Sequence, residues 1–433
     1  MTEPTAAAPT APMTAPTVVY TELTTTIGSP WTTGVQRVVR EIIPRLIADD
    51  HFDVRPVVWC DGCRDFRLLS ATEIDMLNHP TMLPSRAAND GSAQQRLTAT
   101  AKKYVSPFVP RVCKQMARRA IFRLTQSSMH TDLAHQLTPV SSWEIGATFF
   151  EIEAGWQCPI KRSNLFGQLR DRTFTIVVIV NDVMPITNPE WFERRLTKRF
   201  TNWFAAVKQY ATTIVAISEF TRSAIIKLGV HQQVTVVNYG ADFPAPDPVD
   251  GEPLVTQPSR PYVLCVGTLE PRKNHAMLLD AFDIIRSTVP EISMVFVGRR
   301  GWQTTGLVKR LRSHPEFGRG LLWIDTTTDA QLDGLYRRAA VVAVPSYCEG
   351  LGLPVIEALM RGAAVVSSTG GALPEAGGSL VTYIDPTDAD GWAIAISRIV
   401  IANSHEVGAE RDAYVPPLWI AAAGQISNVI RPE

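Results

Sequence analysis

Apolar and polar positions form two kinds of pattern along the chain. Short runs rich in Val and Ile, such as FTIVVIV at 174–180, are typical of parallel strands buried on both faces. Between such runs, segments such as VQRVVREIIPRLIA at 35–48 repeat apolar residues at helical spacing. Strands that alternate with helices indicate βαβ units around parallel sheets, so the pattern predicts an α/β fold class.

The alternation is interrupted twice and then restarts. A long segment at about 70–140 breaks the rhythm, and a stretch rich in Pro and polar residues at about 244–260 is typical of a linker. Beyond the linker the alternation is more regular. We therefore predict a tail at 1–16 and two domains, at 17–250 and 255–408. The segment at about 70–140 would be an insertion in the first domain.

Composition supports two packed domains. The chain has 433 residues, 45% of them hydrophobic and 19% charged, which is enough for sizeable cores. The formal net charge is zero, which argues against a nucleic-acid binder driven by overall charge. Six cysteines in a chain of this length do not indicate a disulfide framework.

Two short features bear on metal binding and location. The CxxC at Cys60–Cys63 has no second ligand pair, so we interpret it as two reduced thiols in a turn rather than a zinc site.

The first residues lack the basic and apolar regions of a signal peptide, and no apolar run is long enough to span a membrane. We therefore expect a cytoplasmic protein without membrane spans.

The loop GTLEPRKNH at 267–275 follows a predicted strand and places Arg272 beside Lys273. Both side chains suit phosphate oxygens, one as a planar fork and one as a point charge. Asn274 is a candidate cap for the next helix. Taken alone, the basic pair fits a solvated surface pair better, because exposed Lys and Arg are common.

A second loop, CEGLGLPVIEA at 348–358, places two glycines before a helix that Pro354 would start. Glycines there let a ligand approach backbone N–H groups, and helix N-termini favour anions. Glu349 and Glu357 cannot bind phosphate, but they can accept hydrogen bonds from hydroxyls. The loop therefore predicts a ligand with both phosphate and sugar hydroxyls. A surface Glu and a Glu that favours the helix dipole remain the alternative.

A third loop, SSTGGALPEAGG at 367–378, repeats glycines before an acid, Glu375. Ligands of parallel sheets bind at the carboxyl ends of the strands, so three such loops predict one shared site. The DxD formed by Asp388 and Asp390 is interpreted as an ordinary acidic helix start, and no metal site is predicted.

Four motifs, GTLEPRKN, VGRRGW, PSYCEGLGLPVIEAL and GGALPEAGG, resemble in order and spacing the donor domain of retaining glycosyltransferases of family 4. Glu349 and Glu357 match the paired-glutamate motif of that family. The resemblance is strong over about 261–405. In the first half, TTGVQRVVREI, VNDVMPITNPEWF and ISEFTRSAI resemble the subgroup of bacterial mannosyl- and D-rhamnosyltransferases of surface polysaccharide synthesis.

The resemblance implies a GT-B fold, in which two Rossmann-like domains face each other across a cleft. Residues 17–250 would be the acceptor-side domain, 255–408 the nucleotide-sugar donor domain, and 409–433 a helix crossing back. The implied activity is retaining transfer of a hexose, mannose-type foremost, from a nucleotide sugar to a glycan or a lipid-linked glycan. The implied process is synthesis of a bacterial surface polysaccharide such as lipopolysaccharide.

The resemblance also assigns residues to roles. Arg272 and Lys273 would contact the donor diphosphate, Glu349 the transferred sugar, and Asp182 the reacting sugar or acceptor; these four are the implied catalytic residues. Glu357 would hold the ribose. The remaining implied donor-binding residues are mostly glycines in strand-end loops: Gly34, Gly267, Gly298, Gly350, Leu351, Gly352 and Leu353. The subgroup usually has His where this chain has Asn181, which cannot titrate.

The expected partners follow from the same resemblance. GDP-mannose is the favoured donor, the acceptor is a glycan or a polyprenyl-diphosphate-linked glycan, and neither cofactor nor metal is expected. The segment 96–123 is basic and partly amphipathic, so both an anionic membrane surface on the inner face of the plasma membrane and a plain basic face stay open.

Other classes of function are weighed against this one. No G-x-G-x-x-G follows a strand, which disfavours a dinucleotide-dependent oxidoreductase. A GT-B protein that binds or hydrolyses a nucleotide sugar without transfer remains the main alternative, and a non-catalytic assembly protein is another.

Overall fold

The computed structural model describes residues 15–28, 34–60, 63–78, 137–242, 261–402 and 414–431. The predicted linker and the basic segment 96–123 lie outside the described residues, as do most of the tail and of the insertion. The chain divides into two compact units, residues 1–176 with 430–433, and residues 177–429. The predicted domain boundaries stay predictions.

The first unit contains a sheet whose strands lie in the order β3-β2-β1-β4. Its elements are β1 (Thr17–Glu22), α1 (Thr24–Ile27), α2 (Gly34–Ile47), β2 (Phe52–Cys60), β3 (Asp65–Leu68), α3 (Ala71–Asn78), β4 (Thr148–Glu151) and α4 (Arg162–Asp171). β1 pairs in parallel with β2 and β4, and β3 is antiparallel to β2. The strand order changes direction between β1 and β4, which makes their carboxyl ends a topological switch point.

The second unit begins with three parallel strands in the order β5-β6-β7. The elements of this part are β5 (Thr175–Val180), which starts in the last two residues of the first unit, α5 (Met184–Thr187), α6 (Arg194–Tyr210), β6 (Thr213–Ala216), α7 (Glu219–Lys227) and β7 (Gln233–Val236). β5 is buried over nearly its whole length, as the continuous run of β-branched residues predicts.

A parallel sheet of six strands follows, in the order β10-β9-β8-β11-β12-β13. Its strands are β8 (Tyr262–Val266), β9 (Ser293–Val297), β10 (Leu321–Ile324), β11 (Val341–Val344), β12 (Val365–Ser367) and β13 (Thr382–Tyr383). The helices that connect them or follow them are α8 (His275–Thr288), α9 (Thr305–Ser313), α10 (Asp329–Arg338), α11 (Leu353–Leu359), α12 (Leu373–Gly377), α13 (Ala389–Ile401) and α14 (Trp419–Ile430). Here the strand order changes direction between β8 and β11.

Successive residues of these strands point to opposite faces, and each face has its own core. Val263, Met294 and Phe296 pack with α8 and α13 on one face, whereas Leu264 and Val295 pack with α10 and α11 on the other. Burial on both faces explains why the strands read as unbroken apolar runs. The predicted α/β class with two Rossmann-like domains is confirmed. No helix within the described ranges is both long enough and apolar enough to cross a membrane.

Candidate functional site

The two basic residues and the first acid of the paired motif lie on either side of the switch point of the six-stranded sheet. Arg272 and Lys273 belong to the short 3-10 turn Pro271–Lys273 after β8, and Glu349 lies in the loop after β11. β8 and β11 are hydrogen-bonded neighbours, so their carboxyl ends bring the two loops together. This edge is where open α/β sheets bind ligands.

Glu349 contacts both cations directly. One of its carboxylate oxygens accepts from Arg272 Nη1 at 2.6 Å, and the other accepts from Lys273 Nζ at 2.6 Å and from Ser346 Oγ at 2.5 Å. Arg272 Nη2 also donates to Glu270 at 2.7 Å. The side chains of the two cations are 13% and 14% exposed. The cluster is therefore desolvated enough for strong electrostatic interactions and still reaches the surface.

The charges of this cluster are set by its members. Burial alone would raise the pKa of Glu349, but Arg272 and Lys273 lower it to about 2, so the carboxylate is ionised at neutral pH. Burial opposes the charge of Arg272, whereas Glu349 and Glu270 raise its pKa above the usual range. The neighbouring His275 is buried, which lowers its pKa to about 3 and leaves its ring neutral.

Asp182 joins this cluster from the end of β5. Burial raises the pKa of its carboxyl, and the positive charge of Arg272 opposes that rise. Its Oδ1 accepts from the backbone N–H of Met184 at 3.0 Å, which fixes the side chain at the start of α5. The structure thus brings together the four residues predicted to be catalytic: Arg272, Lys273, Glu349 and Asp182. Their individual roles stay predictions.

Asn181, which stands where the subgroup usually has His, forms a hydrogen bond with another side chain of the protein. Asn181 Oδ1 accepts a hydrogen bond from the hydroxyl of Tyr239 at 3.0 Å. Tyr239 is almost fully buried, and its ring packs against Trp419 at the start of α14. The amide at 181 is therefore held within the protein by this tyrosine.

The glycine loop has the geometry predicted for it. Gly352 precedes α11 in the left-handed region at φ +91°, and Pro354 lies in the first turn of the helix. A Cβ on Gly350 would lie 2.3 Å from the carbonyl oxygen of Asn181, so only glycine fits there. Leu351 is buried, and Leu353 is the first residue of the helix. Glu357 is buried inside α11 and accepts from the hydroxyl of Tyr336 at 2.7 Å.

The other predicted glycines follow strands or start a helix. Gly267 and Gly298 both have φ +150°, and a Cβ on Gly298 would lie 2.0 Å from the carbonyl oxygen of Gly267. These two glycines let the ends of β8 and β9 touch. Gly34 is the first residue of α2 in the first unit, and residues 29–33 before it lie outside the described part. Donor binding by these glycines stays a prediction.

The side-chain cap predicted at Asn274 is wrong. Asn274 does occupy the position before α8, but its side chain makes no capping hydrogen bond there. Its Nδ2 donates instead to the carbonyl of Pro386 at 2.6 Å. The amide is used for a long-range tie because the 385–387 loop lies beside it. By contrast, the predicted acidic helix start at Asp388 is confirmed, since its side chain accepts from Gly391 N at 2.8 Å.

The described residues show no arrangement of side chains that is typical of a metal site. They contain no group of three or more His, Cys, Asp or Glu side chains arranged to hold a metal ion. The expectation that the protein needs no metal stays a prediction.

Sequence patterns missed a buried polar cluster in the first unit. Glu22 ends β1 and Glu151 ends β4, so both lie at the switch point of that sheet. Arg162 from α4 donates to both carboxylates, and its Nη2 lies 2.5 Å from Glu22. The thiol of Cys158 donates to Glu22 at 2.7 Å. The signal that could have revealed the cluster is the presence of acids inside apolar runs, YTEL and FFEIE.

Glu153 extends this cluster to the start of α1. Its two carboxylate oxygens accept from the backbone N–H groups of Thr25 and Thr26 at 2.8 and 2.7 Å and from the hydroxyl of Thr25 at 2.6 Å. Burial raises the pKa of Glu153 to about 7, although Thr25 and Thr26 oppose the rise. One carboxylate thus holds the helix that leads toward Gly34.

We expect Glu153 to make stability fall as pH rises. Its folded pKa lies above the ordinary value of 4.5, so the unfolded chain loses the proton first. The free energy of unfolding therefore falls by up to about 3 kcal/mol as the pH rises from about 4.5 to 7. The side chain of Glu153→Gln cannot titrate, so the unfolding free energy of this variant should not show that decrease with pH. Its amide also pairs less well with Thr25 and Thr26, which lowers stability by a similar amount at every pH. Urea unfolding at about pH 5 and 7.5 measures it.

The comparison must be made between the two proteins at each pH. His275 has the opposite sign in nearly the same range, because its lowered folded pKa makes stability rise as pH rises from about 3 to 6.5. That contribution is common to wild type and Glu153→Gln and cancels in the difference. A difference in unfolding free energy that stays constant across the range would contradict the prediction.

Comparison with known proteins agrees with this geometry. The family described as glycosyl transferases group 1 matches residues 251–411. The chain is 30% identical over 199 residues to the serotype-specific mannosyltransferase WbdA of Escherichia coli, a match that covers 42% of this chain and 24% of WbdA. It is 28% identical over 222 residues to the O-antigen chain mannosyltransferase B of Escherichia coli, covering 49% of this chain and 58% of that protein. The chain therefore spans only about a quarter to somewhat over half of these relatives.

Solved structures share the fold over almost the whole chain. Anabaena Alr3699/HepE in complex with UDP and glucose matches with a TM-score of 0.55 at 14% identity, covering 96% of this chain and 99% of that one. The sucrose-phosphate synthase of Thermosynechococcus elongatus matches with a TM-score of 0.56 at 18% identity, covering 95% and 98%. At such low identity these likenesses establish the fold, and they confirm the predicted GT-B type. Residues 251–411 accordingly match the group 1 glycosyltransferase family, within a chain of GT-B fold.

Proposed function

We propose that the protein is a retaining glycosyltransferase. It moves a mannose-type hexose from a nucleotide sugar to a glycan or a polyprenyl-diphosphate-linked glycan in the synthesis of a bacterial surface polysaccharide. The observation that carries the proposal is the convergence of Arg272, Lys273 and Glu349 at the switch point of the group 1 domain.

The chemistry of a nucleotide-sugar donor fits this cluster. Its diphosphate carries negative charge that increases as the bond between the anomeric carbon and the phosphate oxygen breaks. Arg272 and Lys273 stabilise that charge, because they are largely desolvated and are held in place by Glu349. The backbone N–H groups from Gly350 to Leu353 supply further donors, and the hydroxyls of the ribose and the sugar suit Glu357 and Glu349.

Retention at the anomeric carbon is part of the proposal. The acceptor oxygen forms the new bond on the face from which the diphosphate departs, and the acceptor proton passes to the departing phosphate oxygen. Such front-face attack needs no carboxylate as a covalent nucleophile. Asp182 lies beside Arg272 and would orient the reacting sugar or the acceptor hydroxyl.

The choice of sugar and acceptor rests on the relatives. WbdA and the O-antigen chain mannosyltransferase B are named as mannosyltransferases, which supports GDP-mannose as the donor. Their names also support a surface polysaccharide as the product. We place the reaction in the cytoplasm, with peripheral attachment through 96–123 as an accessory feature that concerns residues outside the described part.

The proposal is tested first by binding. Melting temperatures are measured with GDP, UDP, dTDP, ADP and NAD, for the wild type and for Lys273→Ala. A ligand at about 100 times its Kd stabilises the folded state by about 2.7 kcal/mol, and we expect this with GDP only. Arg310→Ala is the matched control, because Arg310 forms an exposed ion pair with Asp280. The control should keep the shift and Lys273→Ala should lose it.

Product analysis then separates transfer from its alternative. GDP-mannose is supplied with and without a polyprenyl-diphosphate-linked glycan, and the new linkage is assigned by NMR. An α-linked product formed only with the acceptor is expected. Free mannose formed at the same rate in both reactions would replace the proposal by nucleotide-sugar hydrolysis.

A further inference from the structure

The start of α7 holds the glycine loop of the candidate site. The hydroxyl of Ser218 donates to the carbonyl oxygen of Gly350 at 2.6 Å, and the hydroxyl of Thr221 donates to the same oxygen at 3.2 Å. A hydroxyl has one proton to donate. Outside α7, the carbonyl oxygen of Gly350 is the nearest acceptor for each of the two hydroxyls. Both residues are 1% exposed. The carbonyl of Gly350 is thus fixed by side chains about 130 positions earlier in the chain.

Ser218 does two things at once. Its oxygen also accepts from the backbone N–H of Thr221 at 3.0 Å, which makes it the cap of α7. The same atom therefore orders the helix start and anchors Gly350. Because Gly350 packs against the carbonyl of Asn181 without space for a Cβ, no other residue fits there at low cost.

A second tie joins the same helix start to the third strand-end loop. The carboxylate of Glu375 accepts from the backbone N–H groups of Glu219 and Phe220 at 2.8 and 2.6 Å. These are the first N–H groups of α7, which have no partner within the helix. A carboxylate at this position also interacts favourably with the helix dipole.

The two ties act on one structural element. The backbone carbonyl of Glu349 accepts from Ala372 N at 2.9 Å, and Glu349 N donates to Gly370 O at 3.3 Å. The 370–372 turn is therefore bonded to the residue that pairs with Arg272 and Lys273. Glu349 is bonded to the 370–372 turn, which leads to Glu375, and it precedes Gly350 in the chain. Contacts that hold Glu375 and Gly350 in place therefore also hold the backbone of Glu349.

We propose that Ser218, Thr221 and Glu375 form a clamp that positions the 349–353 loop for the diphosphate and the sugar of the donor. They act as positioning residues, since they contact the loop and not the reacting atoms. This inference rests on the proposed function for its ligand. Its structural part, an ordered loop, can be tested without any ligand.

The experiment uses the full chain, two test variants, one control variant and one rescue variant. Ser218→Ala with Thr221→Val removes both hydroxyls, and Thr221→Val alone removes one bond while keeping the cap at Ser218. Thr201→Val with Ser313→Ala is the matched control, because these exposed hydroxyls donate to the helix carbonyls of Thr197 and Lys309. Thr221→Ser restores the hydroxyl and serves as the rescue.

Hydrogen exchange tests the ordering of the loop. We expect amide exchange in peptides covering 347–356 and 370–376 to accelerate about tenfold or more in the double variant and less in Thr221→Val. Exchange in the control and in Thr221→Ser should match the wild type. Unchanged exchange in the double variant would overturn the clamp, whether or not the protein proves to be a transferase.

Nucleotide affinity tests the consequence for the donor. Calorimetry with GDP should give a Kd raised about tenfold in the double variant and within about twofold of the wild type in the control. Faster exchange with an unchanged GDP affinity would overturn the role of the clamp in donor binding. A wild type that binds no nucleoside diphosphate would refute the proposed function instead, and the exchange result would still decide whether the loop is clamped.

Discussion

Arg272→Ala and Lys273→Ala are each expected to lower the turnover of sugar transfer by about a hundredfold or more. Pre-positioned cations that stabilise a developing charge in a desolvated site contribute that much to the rate. Both side chains are held in place by their ion pairs with Glu349, so little reorganisation is needed. The measurement is kcat with GDP-mannose and a lipid-linked acceptor, at saturating donor.

Loss of folding must be separated from loss of catalysis. Arg272→Ala leaves Glu349 and Glu270 without their shared cation, and breaking a buried pair destabilises a protein by about 3–5 kcal/mol. Arg272→Lys keeps the charge but loses the planar fork, so it should fold and still turn over poorly. Arg310→Ala should retain wild-type turnover. Near-normal kcat in folded Lys273→Ala and Arg272→Lys would refute the role given to the two cations.

Local pattern predicted which loops lie together. Arg272, Lys273 and Glu349 each follow a short apolar run typical of a buried strand, and parallel strands expose their carboxyl ends at one edge. The glycines were informative for the same reason. At Gly350 and Gly352, respectively, close backbone contact and a left-handed φ exclude other residues, and the loop before α11 depends on both.

Contacts between distant segments were not predictable. That Glu349 pairs with both cations depends on bringing residues 76 and 77 positions apart within 2.6 Å, which no local spacing encodes. Asn274 failed as a cap because Pro386 offers its side chain a competing acceptor. The same limit hid the link from Ser218 to Gly350.

The buried acids of the first unit show a different limit. Glu22, Glu151 and Glu153 stand in apolar runs, where an isolated acid is costly and implies a partner. The partner of the first two, Arg162, lies on a helix whose sequence, RSNLFGQLRD, shows no unusual pattern. An acid in a strand therefore signals that a partner exists, but only the fold reveals which one.

Glu349→Gln should separate binding from turnover. The carboxylate occupies positions on Arg272 and Lys273 that a phosphate would take. Removing its charge ends both this competition and its repulsion of the diphosphate. We expect Kd for GDP to fall about tenfold, equivalent to about 1.4 kcal/mol. Turnover should fall about a hundredfold, because the amide replaces the charged acceptor proposed to hold the transferred sugar.

The opposite directions of these effects make the test discriminating. A general loss of structure would weaken binding and turnover together, and a general gain of positive charge would strengthen binding in any variant that loses an acid. Glu316→Gln is the matched control for charge, since Glu316 pairs with Arg286 away from the strand-end loops and is also mostly shielded, at 19% exposure against 8% for Glu349. It should leave both quantities unchanged. If GDP binds Glu349→Gln more weakly than the wild type, Glu349 is not a stand-in for phosphate, and its ion pairs serve to hold the two cations in place for the donor.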